Sequence, residues 1–287
     1  MSYKFKNKKP PYDKVCIGIR GHYGDIMMQE PGLRKFIEDN PDTKITLAVS
    51  KKYKDILPLF YNYHKNIVEF KAFEGYNDWP TKEDLEYINE SGFDAMFPPD
   101  IPKHPDPNWA NHRHIIEETA LMIGLKPNGT KINLNIPEGI KKEKRTACIH
   151  MFSSQYPNGI RSIDPRKQKA IVDYLLARNY KVYQISSPSQ PHIQGTEKPV
   201  GSYYDACLKV LSTDFLISCD SGMAFVSSAY NHPTVTLCSS DYHPSVGTAK
   251  NWYAPNPNGF FLESGIASNI SIYKIFSKIE ELIRMTK

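Results

Sequence analysis

The chain has 287 residues, 40% of them hydrophobic, and a formal net charge of +5 at pH 7. At roughly 150 residues per domain, this length predicts two globular domains. No run approaches the ~18 apolar residues of a transmembrane segment, and no apolar segment follows the basic start as in a secretory signal, so we expect a cytoplasmic protein. The positive charge is dispersed along the chain, which disfavours nucleic acid as a partner and favours phosphorylated small molecules.

The cysteines and histidines do not form the spacings of a metal site. The five cysteines are an odd number without C-x-x-C spacing, and most lie in apolar, strand-like runs. We therefore expect reduced, buried thiols. A proline-rich segment near residues 98–109 carries His104 and is followed by His112 and His114. Without cysteines or carboxylates at ligand spacing, these histidines indicate a surface loop, and we expect neither a metal nor a cofactor.

In the first half of the chain, apolar runs alternate with segments of helical spacing. The runs predict strands at residues 14–20, 44–49, 66–70 and 93–97, and the spacing predicts helices at residues 26–40, 51–57, 81–90 and 115–124. Such alternation is typical of a parallel sheet with helices on both faces. A polar, turn-rich stretch at residues 126–144 then predicts a domain boundary near residue 140.

The turn after the first strand reads GHYGD. Gly21 and Gly24 permit a tight strand-to-helix turn, and Asp25 stands where an N-cap residue would stand. The spacing of Gly18, Gly21 and Gly24 is G-x-x-G-x-x-G rather than G-x-G-x-x-G. A nicotinamide cofactor is therefore not expected.

The second half repeats the alternation. Strands are predicted at residues 145–151, 181–185, 215–218 and 234–237, and helices at residues 164–178, 203–211, 223–230 and 272–284. The predicted fold class is α/β, with two tandem Rossmann-like domains, residues 1–140 and 141–287, and a cleft between them.

The strand at residues 215–218 leads into Asp220-Ser221-Gly222 and then a helix. Such a turn lies at the carboxyl end of its strand, where the helix N-terminus offers unpaired N–H groups and the positive end of its dipole to an anion. Ser221 has a hydroxyl to donate, Gly222 permits close approach to the backbone, and Asp220 can accept hydrogen bonds from sugar hydroxyls. The structural alternative is that Asp220 and Ser221 only cap the helix.

Two segments carry a resemblance to a known family. GDIMMQEPGLRKFIEDNPDTKITLAVSKKY has a Gly-Asp pair, an apolar stretch, a proline before a leucine-arginine pair and a strand. DFLISCDSGMAFVSSAYNHPTVTLCSS has a strand, Asp-Ser-Gly, a helix and a Pro-initiated strand. In order and spacing they resemble the first β-α-β unit and the C-terminal donor motif of the heptosyltransferase-like family of inverting GT-B glycosyltransferases.

The resemblance implies a nucleotide-sugar donor and a glycan or other hydroxyl acceptor. It implies donor binding in the second domain by Ser153, Ser154, Arg161, Asp220, Ser221, Gly222 and Met223. In the first domain it favours Asp25 as the general base over an N-cap carboxylate, with Arg20, His22 and Gly24 near the acceptor or the leaving phosphate. A helix N-terminus and an arginine would stabilise the departing diphosphate without metal, and no Asp-x-Asp occurs in the sequence.

The chain departs from the family at two places. Phe225 stands where the family commonly has a histidine, and residues 153–161 lack the usual lysine-and-tryptophan pattern. The reaction class is therefore carried over, but the ADP-heptose donor is not. Two alternatives stay open. One is a sugar-nucleotide epimerase on the same scaffold, which would need no acceptor, and the other is a catalytically silent nucleotide- or sugar-binding protein.

Overall fold

The computed structural model describes residues 8–19, 21–62, 64–73, 81–97, 114–136, 139–153, 159–242 and 255–287. The chain divides into two compact units, Met1–Ile136 and Pro137–Lys287, and the division falls a few residues before the predicted position. Each unit contains one parallel sheet with helices. The α/β class expected from the sequence is confirmed.

The first unit is built on a four-stranded sheet in the order β3-β2-β1-β4. Its strands are β1 (Lys14–Ile19), β2 (Lys44–Ser50), β3 (Ile67–Phe73) and β4 (Ala95–Phe97). Its helices are α1 (Tyr23–Met28), α2 (Glu30–Asp39), α3 (Ile56–Tyr61), α4 (Lys82–Glu90) and α5 (Ile115–Met122). Strand β1 is central and pairs in parallel with β2 and β4, which explains its apolar sequence, since a central parallel strand is buried on both faces.

Two helix predictions in this unit are wrong. The helix expected at residues 26–40 begins earlier, at Tyr23, and is divided at Gln29 into α1 and α2. Pro31 lies in the first turn of α2, where its missing N–H does no harm, whereas it would interrupt one continuous helix. The helix expected at residues 51–57 is a 3₁₀ turn, Lys51–Tyr53, followed by α3.

The second unit is built on a five-stranded parallel sheet in the order β6-β5-β7-β8-β9. Its strands are β5 (Thr146–His150), β6 (Lys181–Gln184), β7 (Phe215–Cys219), β8 (Thr234–Ser239) and β9 (Gly259–Ser264). Its helices are α6 (Pro165–Leu176), α7 (Tyr203–Ser212), α8 (Gly222–Ala229) and α9 (Ile272–Met285). Strand β9 was not predicted. It pairs with β8 from Thr234 and Gly259 to Ser239 and Ser264.

The apolar residues of the second sheet form one core with α6 and α9. All five cysteines are buried and free, as expected. Within the described ranges, no group of three histidines, cysteines or carboxylates is placed to hold a metal ion. The helices that the structure describes include none long and apolar enough to cross a membrane.

Candidate functional site

The predicted donor residues belong to the carboxyl edge of the second sheet. In a parallel sheet, all strands end at the same edge, so the loops that follow them lie together. Here that edge carries the turn after β7 and the segment after β5, which are separated in sequence but follow neighbouring strands. The register places His150, the last residue of β5, beside Ser218 of β7.

The turn after β7 holds its two polar side chains in different ways. Asp220 is buried, and its N–H donates to Leu237 O of β8 at 3.1 Å. Ser221 is the N-cap residue of α8, but its hydroxyl bonds to no N–H of the helix within the described chain and instead lies 3.1 Å from Ser218 Oγ. Ser221 therefore occupies the N-cap position, but the prediction that its hydroxyl caps the helix is wrong.

Arg161 is brought to this turn from the segment before α6. Its Nη1 lies 3.8 Å from Asp220 Oδ2, and both side chains are largely buried. This distance makes an ion pair rather than a hydrogen bond. Burial raises the pKa of the neighbouring Cys219 thiol to about 12, which the Arg161 charge opposes. Two predicted donor residues that are 59 positions apart in the sequence are thus joined by charge.

Ser153, a predicted donor residue, is bonded to the segment that carries Arg161. It is 2% exposed, and its hydroxyl and its N–H both lie 3.1 Å from Ser162 Oγ. The backbone bond from Ile163 N to Met151 O, at 3.1 Å, holds the same two segments together. Ser153 therefore anchors the segment that carries Arg161. Ser154, its predicted neighbour, lies outside the described residues.

Gly222 and Met223 form the first turn of α8. Gly222 is partly exposed, whereas the Met223 side chain is 1% exposed, so the contribution left to Met223 is its backbone N–H. Phe225 is 5% exposed and lies on the same helix. The position where the family commonly has a histidine is therefore filled by a buried ring.

Sequence reasoning missed two residues of this edge, His150 and Gln190. His150 Nε2 lies 3.0 Å from Phe152 O, and because a carbonyl only accepts, Nε2 carries the proton and the neutral ring presents Nδ1 as an acceptor. Burial lowers the pKa of His150 to about 4. Gln190 donates through Nε2 to Ser153 O at 3.2 Å and so joins the loop after β6 to the segment after β5. No spacing in the sequence signals either contact.

In the first unit, the turn after β1 is held by Asp25. Its Oδ2 accepts the backbone N–H of His22 at 2.7 Å, and His22 is the N-cap residue of α1. Asp25 is therefore the third residue of the helix, and its predicted placement at the N-cap is wrong. Gly21 has φ +105°, and an added Cβ would lie 2.5 Å from Asp25 Oδ2. The glycine is thus required both by backbone conformation and by the closeness of the carboxylate.

The same capping box occurs at two other helices. Asp84 accepts the N–H of Thr81 at 2.9 Å at the start of α4, and Asp205 accepts the N–H of Ser202 at 2.7 Å at the start of α7. These carboxylates satisfy N–H groups that the helix leaves unpaired. The hydrogen bond of Asp25 is therefore sufficient for a capping role and does not by itself indicate catalysis, although a carboxylate has about four acceptor sites and can serve both roles.

His22 makes a second contact that the sequence did not predict. Its Nδ1 lies 2.8 Å from the hydroxyl of Tyr53, the last residue of the 3₁₀ turn after β2. Gly24 lies within α1 and is partly exposed. Arg20, the third predicted residue of the acceptor side, lies outside the described residues. The structure thus brings His22, Gly24 and Asp25 together on one turn.

No protein-family model and no curated protein matches the chain. Among solved structures, the chain is similar to a glycosyl transferase family 9 protein from Veillonella parvula, with 14% identity over 98% of this chain and 100% of that chain and a TM-score of 0.72. It is similar to the heptosyltransferase WaaC of E. coli with ADP, with 12% identity over 94% of this chain and 99% of that chain and a TM-score of 0.65.

A third similar structure is the iron-containing dodecameric glycosyltransferase TibC of enterotoxigenic E. coli, with 15% identity over 99% of this chain and 78% of that chain and a TM-score of 0.68. At these identities, the likeness concerns the fold. It extends over both units and includes both parallel sheets. The chain therefore has the fold of GT-B glycosyltransferases of the heptosyltransferase type.

Proposed function

We propose that the protein is an inverting glycosyltransferase, which moves a sugar from a nucleoside diphosphate to a hydroxyl acceptor without a metal. The observation that carries the proposal is the pairing of Arg161 with the Asp220 turn at the N-terminus of α8, at 3.8 Å. A helix N-terminus and a guanidinium are groups that bind diphosphate. A similar structure holds ADP, which supports the same class of ligand here.

In this reaction the nucleoside diphosphate departs with its bonding electrons from the anomeric carbon. Arg161 and the N–H groups of Gly222 and Met223 would bear the charge that develops on the leaving phosphate. Asp220, buried beside Arg161, would hold the guanidinium in place. Asp25 would take the proton of the attacking hydroxyl, and attack on the face of the anomeric carbon opposite the leaving group gives inversion in a single displacement.

The donor site is tested by calorimetric titration with a panel of nucleoside diphosphates and their sugars. We expect Arg161→Ala and Asp220→Ala each to weaken binding ~10-fold or more, because losing a charged hydrogen bond typically costs about 1.5 to 3 kcal/mol. Arg166→Ala, at the exposed start of α6, is the control and should bind as the wild type does. Wild-type affinity in both site variants would mean that the donor binds elsewhere.

Transfer is tested by product analysis with and without a hydroxyl acceptor. Release of an altered sugar without acceptor would identify an epimerase instead, and binding without any turnover or donor hydrolysis would identify a silent binding protein. Because one similar structure contains iron, the assay is run after exhaustive chelation and with metal analysis. Activity that chelator abolishes and a divalent ion restores would contradict the metal-free mechanism.

The role of Asp25 is tested with Asp25→Asn, and Asp205→Asn is the matched control because Asp205 makes the same bond at the start of α7. Removing a general base typically lowers the rate ~100 to 10,000-fold, whereas losing a cap typically costs about 1 kcal/mol of stability. We expect both variants to be slightly destabilised and Asp25→Asn alone to lose transfer, with nucleotide affinity retained. A fully active Asp25→Asn protein would eliminate the proposed base.

A further inference from the structure

The side chains of His22 and Tyr53 tie the turn after β1 to the turn after β2. Their Nδ1 and Oη atoms lie 2.8 Å apart, although the residues are 31 positions apart in sequence. The two turns follow neighbouring strands, β1 and β2, so both lie at the carboxyl edge of the first sheet. The contact therefore joins the turn that carries Asp25 to a second, independent part of that edge.

Tyr53 is fixed more firmly than the histidine that it contacts. It is 2% exposed, whereas His22 is exposed. Its ring stands edge-on to the ring of His22, at 6.2 Å and 84°, and to the ring of Tyr23, at 5.0 Å and 81°. Because a buried ring with two such neighbours has little rotational freedom, Tyr53 constrains the histidine rather than the reverse.

The constraint passes to the carboxylate through the backbone. The N–H of His22 donates to Asp25 Oδ2 at 2.7 Å, and His22 O accepts the N–H of Ile26 at 3.0 Å. A displacement of the His22 main chain would therefore move the donor that orients Asp25 and the first turn of α1, and the bond between the His22 ring and buried Tyr53 resists that displacement. Since a shift of about 1 Å in a reacting group can lower a rate ~100-fold, a side chain that prevents such a displacement affects catalysis.

We propose that Tyr53 is a positioning residue, which orients the proposed base Asp25 by tethering His22 and so holding in place the backbone N–H that Asp25 accepts. The inference rests on the proposed function. Either neutral tautomer of His22 satisfies the contact, because a tyrosine hydroxyl both donates and accepts. The hydroxyl of Tyr53 is therefore the required group, and the ring alone does not replace it.

The test compares Tyr53→Phe with Tyr87→Phe. Both changes remove only a hydroxyl from the first unit, and Tyr87 Oη donates to Glu69 Oε2 at 2.8 Å near α4, away from the turn after β1. We expect Tyr53→Phe to lower kcat about 3- to 10-fold, the effect of one lost hydrogen bond, with the donor KM unchanged. Tyr87→Phe should leave kcat unchanged at comparable melting temperature. Equal kcat in the two variants would overturn the proposal.

A double-mutant cycle shows whether Tyr53 acts through His22. His22→Asn keeps a residue that favours the N-cap position but removes the ring. In that background, Tyr53→Phe should have no further effect on kcat, whereas effects that multiply would show that Tyr53 acts independently of His22 and would overturn the proposal.

A spectroscopic measurement separates this proposal from the proposed function. The backbone amide ¹H and ¹⁵N resonances of His22, whose N–H donates to Asp25, should shift in Tyr53→Phe and stay in place in Tyr87→Phe. If the wild type transfers no sugar, the proposed function fails, and the spectrum then decides the positioning role alone. Shifted resonances would support the role of Tyr53 in fixing the turn, and unchanged resonances would overturn it.

Discussion

Replacing Gly21 with alanine should destabilise the turn after β1 through two effects, steric overlap and backbone strain. An added Cβ would lie 2.5 Å from Oδ2 and 2.6 Å from Cγ of Asp25, well inside the ~3.5 Å of ordinary contact. The backbone has φ +105°, a conformation that costs a residue with a Cβ about 1 to 3 kcal/mol. Because the added Cβ would also lie 2.3 Å from Asp25 Cβ, the first turn of α1 must move to relieve the overlap. That movement breaks the bond of Asp25 with His22, a capping bond worth about 1 kcal/mol.

Because one movement both relieves the strain and breaks the bond, these terms do not add fully. We expect Gly21→Ala to lower the free energy of unfolding by about 3 kcal/mol, which in a unit of this size lowers Tm by roughly 10 °C. Calorimetry measures the change directly. If Asp25 is the base, the transfer rate falls with it, while nucleotide affinity, which the proposed function assigns to the second unit, stays at the wild-type value.

The control is Gly92→Ala in the same unit. Gly92 also has a positive φ, +66°, but no atom of the described chain lies within 4 Å of its added Cβ. This change should cost only about 1 to 2 kcal/mol, from backbone conformation alone. If Gly21→Ala is no more destabilising than Gly92→Ala, the crowding against Asp25 does not exist in solution.

Two further predictions concern buried ionisable side chains. Burial lowers the pKa of His232 to about 3 in the folded protein, below its value in the unfolded chain. As the pH drops from about 6.5 towards 3, His232 is therefore protonated in the unfolded chain first. The free energy of unfolding then falls by at most ~1.4 kcal/mol per pH unit. His232→Asn should flatten this slope in urea titrations across that range, and an unchanged slope would contradict the assignment. Glu30 is fully buried and pairs with Arg34 at 2.9 Å, so Glu30→Gln should lower the free energy of unfolding, measured by urea titration, by about 3 kcal/mol. Glu86 forms an exposed pair with Lys82, so the control Glu86→Gln should lower it by less than about 1 kcal/mol. Equal losses would show that the burial of Glu30 does not matter.

The sequence predicted secondary-structure elements well where the local residue pattern was compatible with only one type of element. The runs around β1, β5 and β7 are apolar without alternation, and only a strand buried on both faces suits them. The turn after β7 was equally predictable, because Asp220-Ser221-Gly222 is a sequence that ends a strand and starts a turn. The predictions were wrong where the local sequence was compatible with two different secondary structures. The segment around Gln29 has helical spacing throughout, and only the hydrogen bonds around Pro31 decide that it forms two helices.

Strand β9 shows a different limit. Its sequence, GFFLES, has little alternation, and its extended conformation comes from pairing with β8 along its whole length. Such pairing depends on which segments the folded chain brings together. Phe260 and Phe261 favour a strand, but a run of three apolar residues does not by itself distinguish a strand from an aromatic loop.

By itself, the sequence determined the α/β class, the two-domain alternation, the buried thiols and the two turns that carry Asp25 and Asp220, because all of these follow from periodicity and from the backbone demands of glycine, proline and aspartate. Only the tertiary structure decided which side chains those turns meet. The ion pair of Arg161 with Asp220 and the contact of His22 with Tyr53 join residues 59 and 31 positions apart. Such contacts are set by strand order and packing, since neighbouring parallel strands bring distant loops to one edge of a sheet, and no local pattern encodes that proximity.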